Sequence, residues 1–182
     1  MANIGFISLG CAKNQVDCER MMFRVQEAGF TIRFDDDKND ADIVIINTCG
    51  FIGDAKEESI AAILEYAELK RRKKNPKKIV VCGCLSQRYA DELRPELPEV
   101  DDVFGVNDWA GIVERLGAKY RAENETRREL STPSHYAYLK ISEGCNWMCG
   151  YCAIPLIRGR HKSVPMEALV AETEALVAKG VR

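Results

Sequence analysis

The sequence predicts an α/β protein with a doubly wound, mostly parallel sheet, followed by the beginning of a second unit. Three short apolar runs, at residues 3–9, 42–47 and 78–81, are each followed by a segment with helical spacing of apolar side chains. Near-continuous apolar strands that alternate with helices are typical of a parallel sheet that helices cover on both faces.

The elements between these strands follow from periodicity and capping. Apolar side chains from Val16 to Val25 recur at helical spacing, so residues 14–28 are predicted as a helix that ends before Gly29. Residues 31–34 are predicted as a short strand. The other predicted elements of this unit are helices over residues 54–70, from about residue 87 and over residues 109–116, and a strand over residues 102–106.

A polar segment separates a second unit from the first. Residues 121–136 are rich in charge and contain Pro133, so they are predicted as a linker between a first domain, residues 1–120, and a second, residues 137–182. The second unit is predicted to contain a strand over residues 138–141, a cysteine loop over residues 143–152 and an amphipathic helix over residues 166–179. Together these elements make one βα unit.

The composition limits the classes of function. The chain has 182 residues, 46% of them hydrophobic, and a net charge of −2, so no overall field draws it to nucleic acid or to a membrane. No apolar run approaches the roughly 20 residues that span a bilayer, and residues 1–11 lack the pattern of a secretory signal, so neither a membrane span nor secretion is expected. We therefore expect a cytoplasmic protein, in which eight cysteines stay reduced and metal or cluster binding is the first explanation for them.

Cys145, Cys149 and Cys152 form a C-x3-C-x2-C loop after a predicted strand. Three thiolates at this spacing hold a 4Fe-4S cluster and leave one iron open, which then binds the amino and carboxylate groups of S-adenosylmethionine (SAM). The alternative is structural zinc, for which His161 is the only nearby fourth ligand. Tyr151 is a candidate to pack on the adenine ring of SAM, or equally to shield the cluster from water.

Cys11, Cys49 and Cys84 each lie just past the carboxyl end of a predicted strand. Because these ends share one edge of a parallel sheet, the three thiols are expected to meet and to hold a second cluster with a free iron. The alternative is that they are buried small apolar residues, as free cysteines often are. Cys18, inside the first helix, and Cys82, inside a strand, are better explained by core packing.

Charged and polar residues near these cysteines have two interpretations each. Asp17 and Glu19 are either an exposed helix start or polar neighbours of the first cluster, and Asn14 is expected to orient the loop through hydrogen bonds to backbone. Four basic side chains follow the second cysteine loop, and solvated loop charge is the first explanation for them. The alternative is that they lie near a cofactor carboxylate or an anionic substrate. These four are Arg158, Arg160, His161 and Lys162.

Residues 70–78 contain seven basic side chains in nine. Positive charge at the carboxyl end of a helix is favoured by the helix dipole, so the run is predicted to end the preceding helix and to space out a turn. A contact with RNA or with the ribosomal surface is the alternative.

Two sets of motifs surround the cysteines. The first unit contains Ser8-Leu9-Gly10-Cys11-Ala12-Lys13-Asn14, Asn47-Thr48-Cys49-Gly50-Phe51-Ile52, and Gly83-Cys84-Leu85 with Gln87-Arg88-Tyr89. The second contains Ile141-Ser142-Glu143-Gly144-Cys145-Asn146, Cys149, Cys152, Ile154-Pro155 and Arg158-Gly159. The first set resembles the N-terminal domain, and the second the radical SAM domain, of the radical SAM methylthiotransferase family, and the resemblance covers nearly the whole chain. Within the family the sequence resembles the RimO type, which modifies an aspartate of a small-subunit ribosomal protein.

The resemblance implies two 4Fe-4S clusters and SAM as cofactors. In this chemistry one SAM molecule methylates sulfur at the cluster on Cys11, Cys49 and Cys84. A second SAM molecule is cleaved at the other cluster and yields a radical that takes hydrogen from the aspartate β-carbon. The resulting carbon radical then captures the methylthio group. Such chemistry needs an electron donor, flavodoxin-like or similar. Two alternatives are methylthiolation of isopentenyl adenosine in tRNA and a non-catalytic iron–sulfur or zinc module.

The resemblance also implies that the second unit is the first βα unit of a radical SAM partial barrel. Family members continue with the rest of that barrel, whereas this sequence ends at Arg182. The chain by itself is therefore expected to be catalytically inactive.

Overall fold

A computed structural model describes residues 2–34, 40–72, 74–121 and 127–182 of the chain. Its larger sheet is built from the strands β1 (Asn3–Ser8), β2 (Thr31–Phe34), β3 (Ile43–Thr48), β4 (Lys78–Gly83) and β5 (Asp102–Val103). The helices that connect or follow these strands are α1 (Ala12–Glu27), α2 (Gly53–Arg71), α3 (Cys84–Glu96) and α4 (Trp109–Arg115). All pairings in this sheet are parallel, and the strand order is β2-β1-β3-β4-β5.

Alternate side chains of the central strands point to opposite faces of the sheet and pack in two separate cores. Phe6 of β1 and Val80 of β4 pack with α1 and α4 on one face, whereas Ile46 of β3 and Val81 of β4 pack with α2 and α3 on the other. Both faces of the sheet are therefore covered, which is why the central strands are apolar at nearly every position. The predicted α/β fold with a doubly wound parallel sheet is confirmed.

Two element boundaries in the first unit differ by three residues from those predicted, and the others agree within two. The helix α3 begins at Cys84, three residues before the predicted start at Gln87, because the chain turns from β4 into the helix directly at Gly83. The strand β5 contains two residues, whereas residues 102–106 were expected to be extended; it pairs with Val80 and Val81 alone at the edge of the sheet.

The second unit contains β6 (Ser142–Glu143), α5 (Ile154–Arg158), β7 (Lys162–Ser163) and α6 (Met166–Ala178). The predicted helix at its end is confirmed, but the predicted strand over residues 138–141 is wrong. In the described part of the chain no strand is assigned to these residues; the ladder begins one residue later, and Ile141 takes part only through its carbonyl oxygen, which accepts from the amide of Val164 at 2.9 Å. Instead β6 pairs with β7 in an antiparallel arrangement.

The predicted linker, residues 121–136, includes residues 122–126, which lie outside the described residues. None of the helices described is both long and apolar enough to cross a membrane.

Cys18 and Cys82 lie in the core between the sheet and α1, with 0% and 4% of their surface exposed, so the core-packing interpretation of both is confirmed. Burial disfavours the charged thiolate. It raises the pKa of Cys18 from 9.0 to about 12 and raises the pKa of Cys82 well above its ordinary value.

Iodoacetamide at pH 8 should therefore leave these two thiols unmodified in the folded, metal-free protein while it alkylates the exposed Cys11 and Cys149. A pKa shift from 9.0 to about 12 lowers the fraction of Cys18 present as the reactive thiolate about a thousandfold. Burial also keeps the reagent away from the sulfur. Peptide mass spectrometry measures the modification, and all eight cysteines should react in urea. Alkylation of Cys18 as fast as that of Cys149 in the folded chain would contradict the core assignment.

Candidate functional site

Three cysteines converge at the carboxyl edge of the larger sheet. Cys11 is the N-cap of α1, Cys49 directly follows β3, and Cys84 is the first residue of α3. Burial raises the pKa of the Cys84 thiol, Arg158 opposes that rise, and Cys49 and Cys11 are close enough to add to it. The strand order reverses between β1 and β3, and this reversal is where doubly wound sheets place their sites.

Two glycines allow the loops that carry these cysteines to touch. A Cβ atom at Gly10, whose φ is +92°, would lie 2.5 Å from Cβ and 2.8 Å from Sγ of Cys49. A Cβ atom at Gly50 would lie 2.6 Å from Cα of Leu85 and 2.9 Å from the carbonyl oxygen of Cys84. No larger residue fits at either position without separating the loops.

Asn14 ties the same loops together. Its Nδ2 donates to the carbonyl oxygen of Leu9 at 3.0 Å and to that of Thr48 at 2.8 Å. These residues lie just before the loops that carry Cys11 and Cys49. Its Oδ1 accepts from the guanidinium of Arg158 at 2.5 Å and from the thiol of Cys84 at 3.3 Å. The expectation that Asn14 orients this region through hydrogen bonds to backbone is confirmed.

Arg158 and Asp17 are buried, so solvated loop charge at Arg158 and an exposed helix start at Asp17 are both wrong. Arg158 Nη1 donates to Asp17 at 2.7 Å and to Glu143 at 2.9 Å, and Nη2 donates to Sγ of Cys84 at 3.2 Å. Lys140 donates to the other carboxylate oxygen of Asp17 at 2.6 Å. Two carboxylates and two cations thus form one buried group beside Cys84.

The helix α5 brings Arg158 to this position. Its apolar side chain Ile157, with Ala153 just before the helix, packs against Cys84 and Val106, and this contact turns Arg158 inward. Burial by itself lowers the pKa of the Arg158 guanidinium, but Asp17 and the other anionic neighbours outweigh it and the pKa is raised. The neighbouring Arg160, His161 and Lys162 are exposed, as expected of solvated loop charge.

Glu19 is also buried, at 1% exposure, and the expectation of an exposed helix start is wrong for it too. Its carboxylate accepts from Arg128 at 3.1 Å and from the backbone and hydroxyl of Ser131 at 3.0 and 2.8 Å. Glu172 of α6 pairs with Arg20 at 3.0 Å and with Arg128 at 3.2 Å. These ion pairs join α1 to residues 127–131 and to the last helix.

One signal in the sequence points to this second buried group. Glu172 lies four residues before Leu176, and both belong to the buried stripe of α6. A carboxylate in an apolar stripe requires a buried cation as its partner.

Backbone hydrogen bonds hold the loop of Cys145, Cys149 and Cys152, one of them to Gly159 outside the loop. The amide of Cys145 donates to the carbonyl of Gly159 at 3.0 Å, and the amide of Cys152 donates to the carbonyl of Cys149 at 3.0 Å. Cys149 is exposed and the other two are partly buried. Tyr151, the candidate for adenine contact, is 92% exposed.

Across the described ranges, no three His, Cys, Asp or Glu side chains are already arranged to hold a metal ion. The chemistry of both cysteine sets nevertheless fits an iron–sulfur cluster, because each offers three thiols, the ligands that such clusters use.

Most of the basic run at residues 70–78 is neutralised by carboxylates. Lys70 and Arg71 lie in the last turn of α2, as predicted for charges that face a helix carboxyl end. Lys73 lies outside the described residues. Ion pairs with carboxylates are formed by Lys70 with Asp101, Arg71 and Arg72 with Glu68, Lys77 with Asp42, and Lys78 with Asp102.

Comparison with known sequences identifies the family. Residues 3–105 match the family described as Uncharacterized protein family UPF0004, and the chain belongs to that family. The chain is 51% identical over 179 residues to "Ribosomal protein uS12 methylthiotransferase RimO" of Bacteroides fragilis. It is 52% identical over 182 residues to the protein of the same name from Prosthecochloris aestuarii.

These alignments cover 98% and 100% of this chain but 41% of each relative, so the chain spans about two fifths of their length. The resemblance to methylthiotransferases of the RimO type is confirmed.

Proposed function

We propose that this chain supplies the cluster-binding part of an enzyme that methylthiolates an aspartate β-carbon of ribosomal protein uS12. The observation that carries the proposal is the position of Cys11, Cys49 and Cys84 at the switch point of the sheet, next to the turn at Arg158 and Gly159 that contacts both Cys84 and Cys145. The names of the two relatives, both uS12 methylthiotransferases, support this choice of substrate.

In this proposal Cys11, Cys49 and Cys84 hold one 4Fe-4S cluster. When bound, the two clusters and SAM supply the methylthio group and the radical chemistry that an unactivated C–H bond requires. Asn14 and the buried Arg158 hold the first cysteine set in place, and Gly10 allows its loop to lie directly against Cys49.

Cys145, Cys149 and Cys152 hold the second 4Fe-4S cluster, with one iron open for SAM. The hydrogen bond from Cys145 to Gly159 fixes the start of this loop relative to α5. The exposed ring of Tyr151 packs on the adenine of SAM.

The remaining parts of the proposal concern organisation and partners. Residues 1–120 form the N-terminal domain, residues 121–136 the linker, and residues 137–182 the first βα unit of a radical SAM partial barrel, of which α6 is the helix. The enzyme acts in the cytoplasm and receives electrons from a flavodoxin-like or similar donor.

Iron and sulfide analysis after anaerobic reconstitution tests the two cluster sites. Two 4Fe-4S clusters predict about eight irons per chain, and Cys145→Ala/Cys149→Ala/Cys152→Ala should retain about four. The control Cys18→Ala/Cys82→Ala removes two cysteines from the core and should retain about eight. Bound zinc, or no loss of iron in the triple variant, would contradict the assignment.

The substrate is tested with a chimera in which this chain replaces the aligned part of the Bacteroides fragilis relative. With SAM and dithionite, the chimera should methylthiolate an aspartate of uS12 and leave tRNA unmodified, as judged by mass spectrometry. Modified tRNA with unmodified uS12 would assign the chain to the tRNA-modifying alternative.

A further inference from the structure

Two adjacent residues connect the two cysteine sets. The carbonyl of Gly159 accepts a hydrogen bond from the amide of Cys145 at 3.0 Å. The residue before it, Arg158, donates Nη2 to Sγ of Cys84 at 3.2 Å. A single turn of chain therefore touches the first ligand of one proposed cluster and the last ligand of the other.

The guanidinium of Arg158 is held in a fixed position. Its side chain is 2% exposed, and Asp17 and Glu143 accept from Nη1 while Asn14 accepts from Nη2. The planar fork cannot turn away from Cys84 without breaking these bonds. Because the group is removed from water, its charge acts on the sulfur with little screening.

The two carboxylates do not cancel this charge at Cys84. Asp17 and Glu143 bind Nη1, whereas the nitrogen that faces the sulfur is Nη2. The group in direct contact with the sulfur of Cys84 is therefore a positively charged N–H donor. The thiol of Cys84 also donates to Asn14 at 3.3 Å, a bond that ends when the sulfur loses its proton to bind iron. The bond from Arg158 persists because the sulfur accepts it.

We propose that Arg158 is a positioning residue that raises the reduction potential of the cluster held by Cys11, Cys49 and Cys84. This inference rests on the proposed function. Reduction adds one electron, supplied by a reductant such as dithionite, and breaks no bond. Hydrogen bonds to cluster sulfur and nearby positive charge favour the more negative, reduced state. The next residue, Gly159, accepts from the amide of Cys145, so the same turn of chain contacts both cysteine sets.

The test measures the first cluster alone. In the Cys145→Ala/Cys149→Ala/Cys152→Ala background, the midpoint potential is measured by anaerobic dithionite titration followed by electron paramagnetic resonance. Arg158→Gln removes the charge and should shift the potential to a more negative value. Arg158→Lys keeps the charge but loses the fork, so its shift should be smaller. The control Arg160→Gln makes the same charge change at an exposed position two residues away and should leave the potential unchanged.

Iron content separates the two levels of the proposal. If the parent triple variant holds no iron, the proposed cluster on the first set fails. If it holds about four irons and Arg158→Gln has the same potential as the parent, the role of Arg158 is overturned while the cluster assignment stands. If Arg158→Gln cannot retain iron, Arg158→Lys decides: a lowered potential supports the inference, and an unchanged one overturns it.

Discussion

Replacing Asp17 with alanine is expected to lower the free energy of unfolding by about 3–5 kcal/mol, the usual effect of removing one partner from a buried ion pair. The side chain of Asp17 is 7% exposed, and its two oxygens accept from Lys140 at 2.6 Å and Arg158 at 2.7 Å. Without it, two buried cations are left with Glu143 as their remaining carboxylate. Asp17→Asn should cost nearly as much, because it keeps the shape but not the charge.

Urea unfolding of the metal-free chain, followed by circular dichroism, measures this loss. The matched control is Glu68→Ala in α2, because the carboxylate of Glu68 also pairs with two cations, Arg71 at 2.6 Å and Arg72 at 2.7 Å. Those groups are largely exposed to water, and exposed ion pairs contribute little. Equal losses in the two variants would show that burial does not determine the contribution of Asp17.

The sheet and the position of three cysteines at its edge could be predicted because both follow from local patterns and one topological rule. Apolar runs locate β1, β3 and β4, and parallel strands place their carboxyl ends together. Cys11, Cys49 and Cys84 each follow such an end, so knowledge of the strands was enough to bring them together.

The buried charges could not be predicted in this way. Asp17 and Arg158 are 141 residues apart in the chain, and Glu19 and Arg128 are 109 apart. A charged residue is normally placed on the surface unless its partner is known, and no local window contains both partners. The burial of Arg158 depends on how Ile157 packs against Cys84, a contact between the two units.

Backbone pairing explains the error at residues 138–141. The apolar character of Leu139 and Ile141 favours a strand, but a strand also requires a neighbour whose amides and carbonyls face it. The pairing found lies one step further along, between Ser142 and Ser163 and between Glu143 and Lys162. The β-strand propensity of residues 138–141 does not show which part of the chain lies beside them.

Replacing Gly10 with alanine is expected to remove about four of the eight irons that the two proposed clusters would hold, and to destabilise the metal-free chain. Two costs add. The φ of +92° is a left-handed conformation that costs an L-residue about 1–2 kcal/mol. The new methyl group would lie 2.5 Å from Cβ and 2.8 Å from Sγ of Cys49, and displacing that side chain costs about a further 1–3 kcal/mol. Iron analysis and urea unfolding measure the two effects.

Gly29→Ala separates strain from collision. Gly29 has a φ of +96°, close to that of Gly10, but no atom lies within 4 Å of the position that its Cβ would occupy. This variant should lose only the conformational cost, about 1–2 kcal/mol, and should retain all of its iron. If Gly10→Ala also retained about eight irons, Cys49 would not need its present position to bind, and the close packing of the first two loops would serve stability alone.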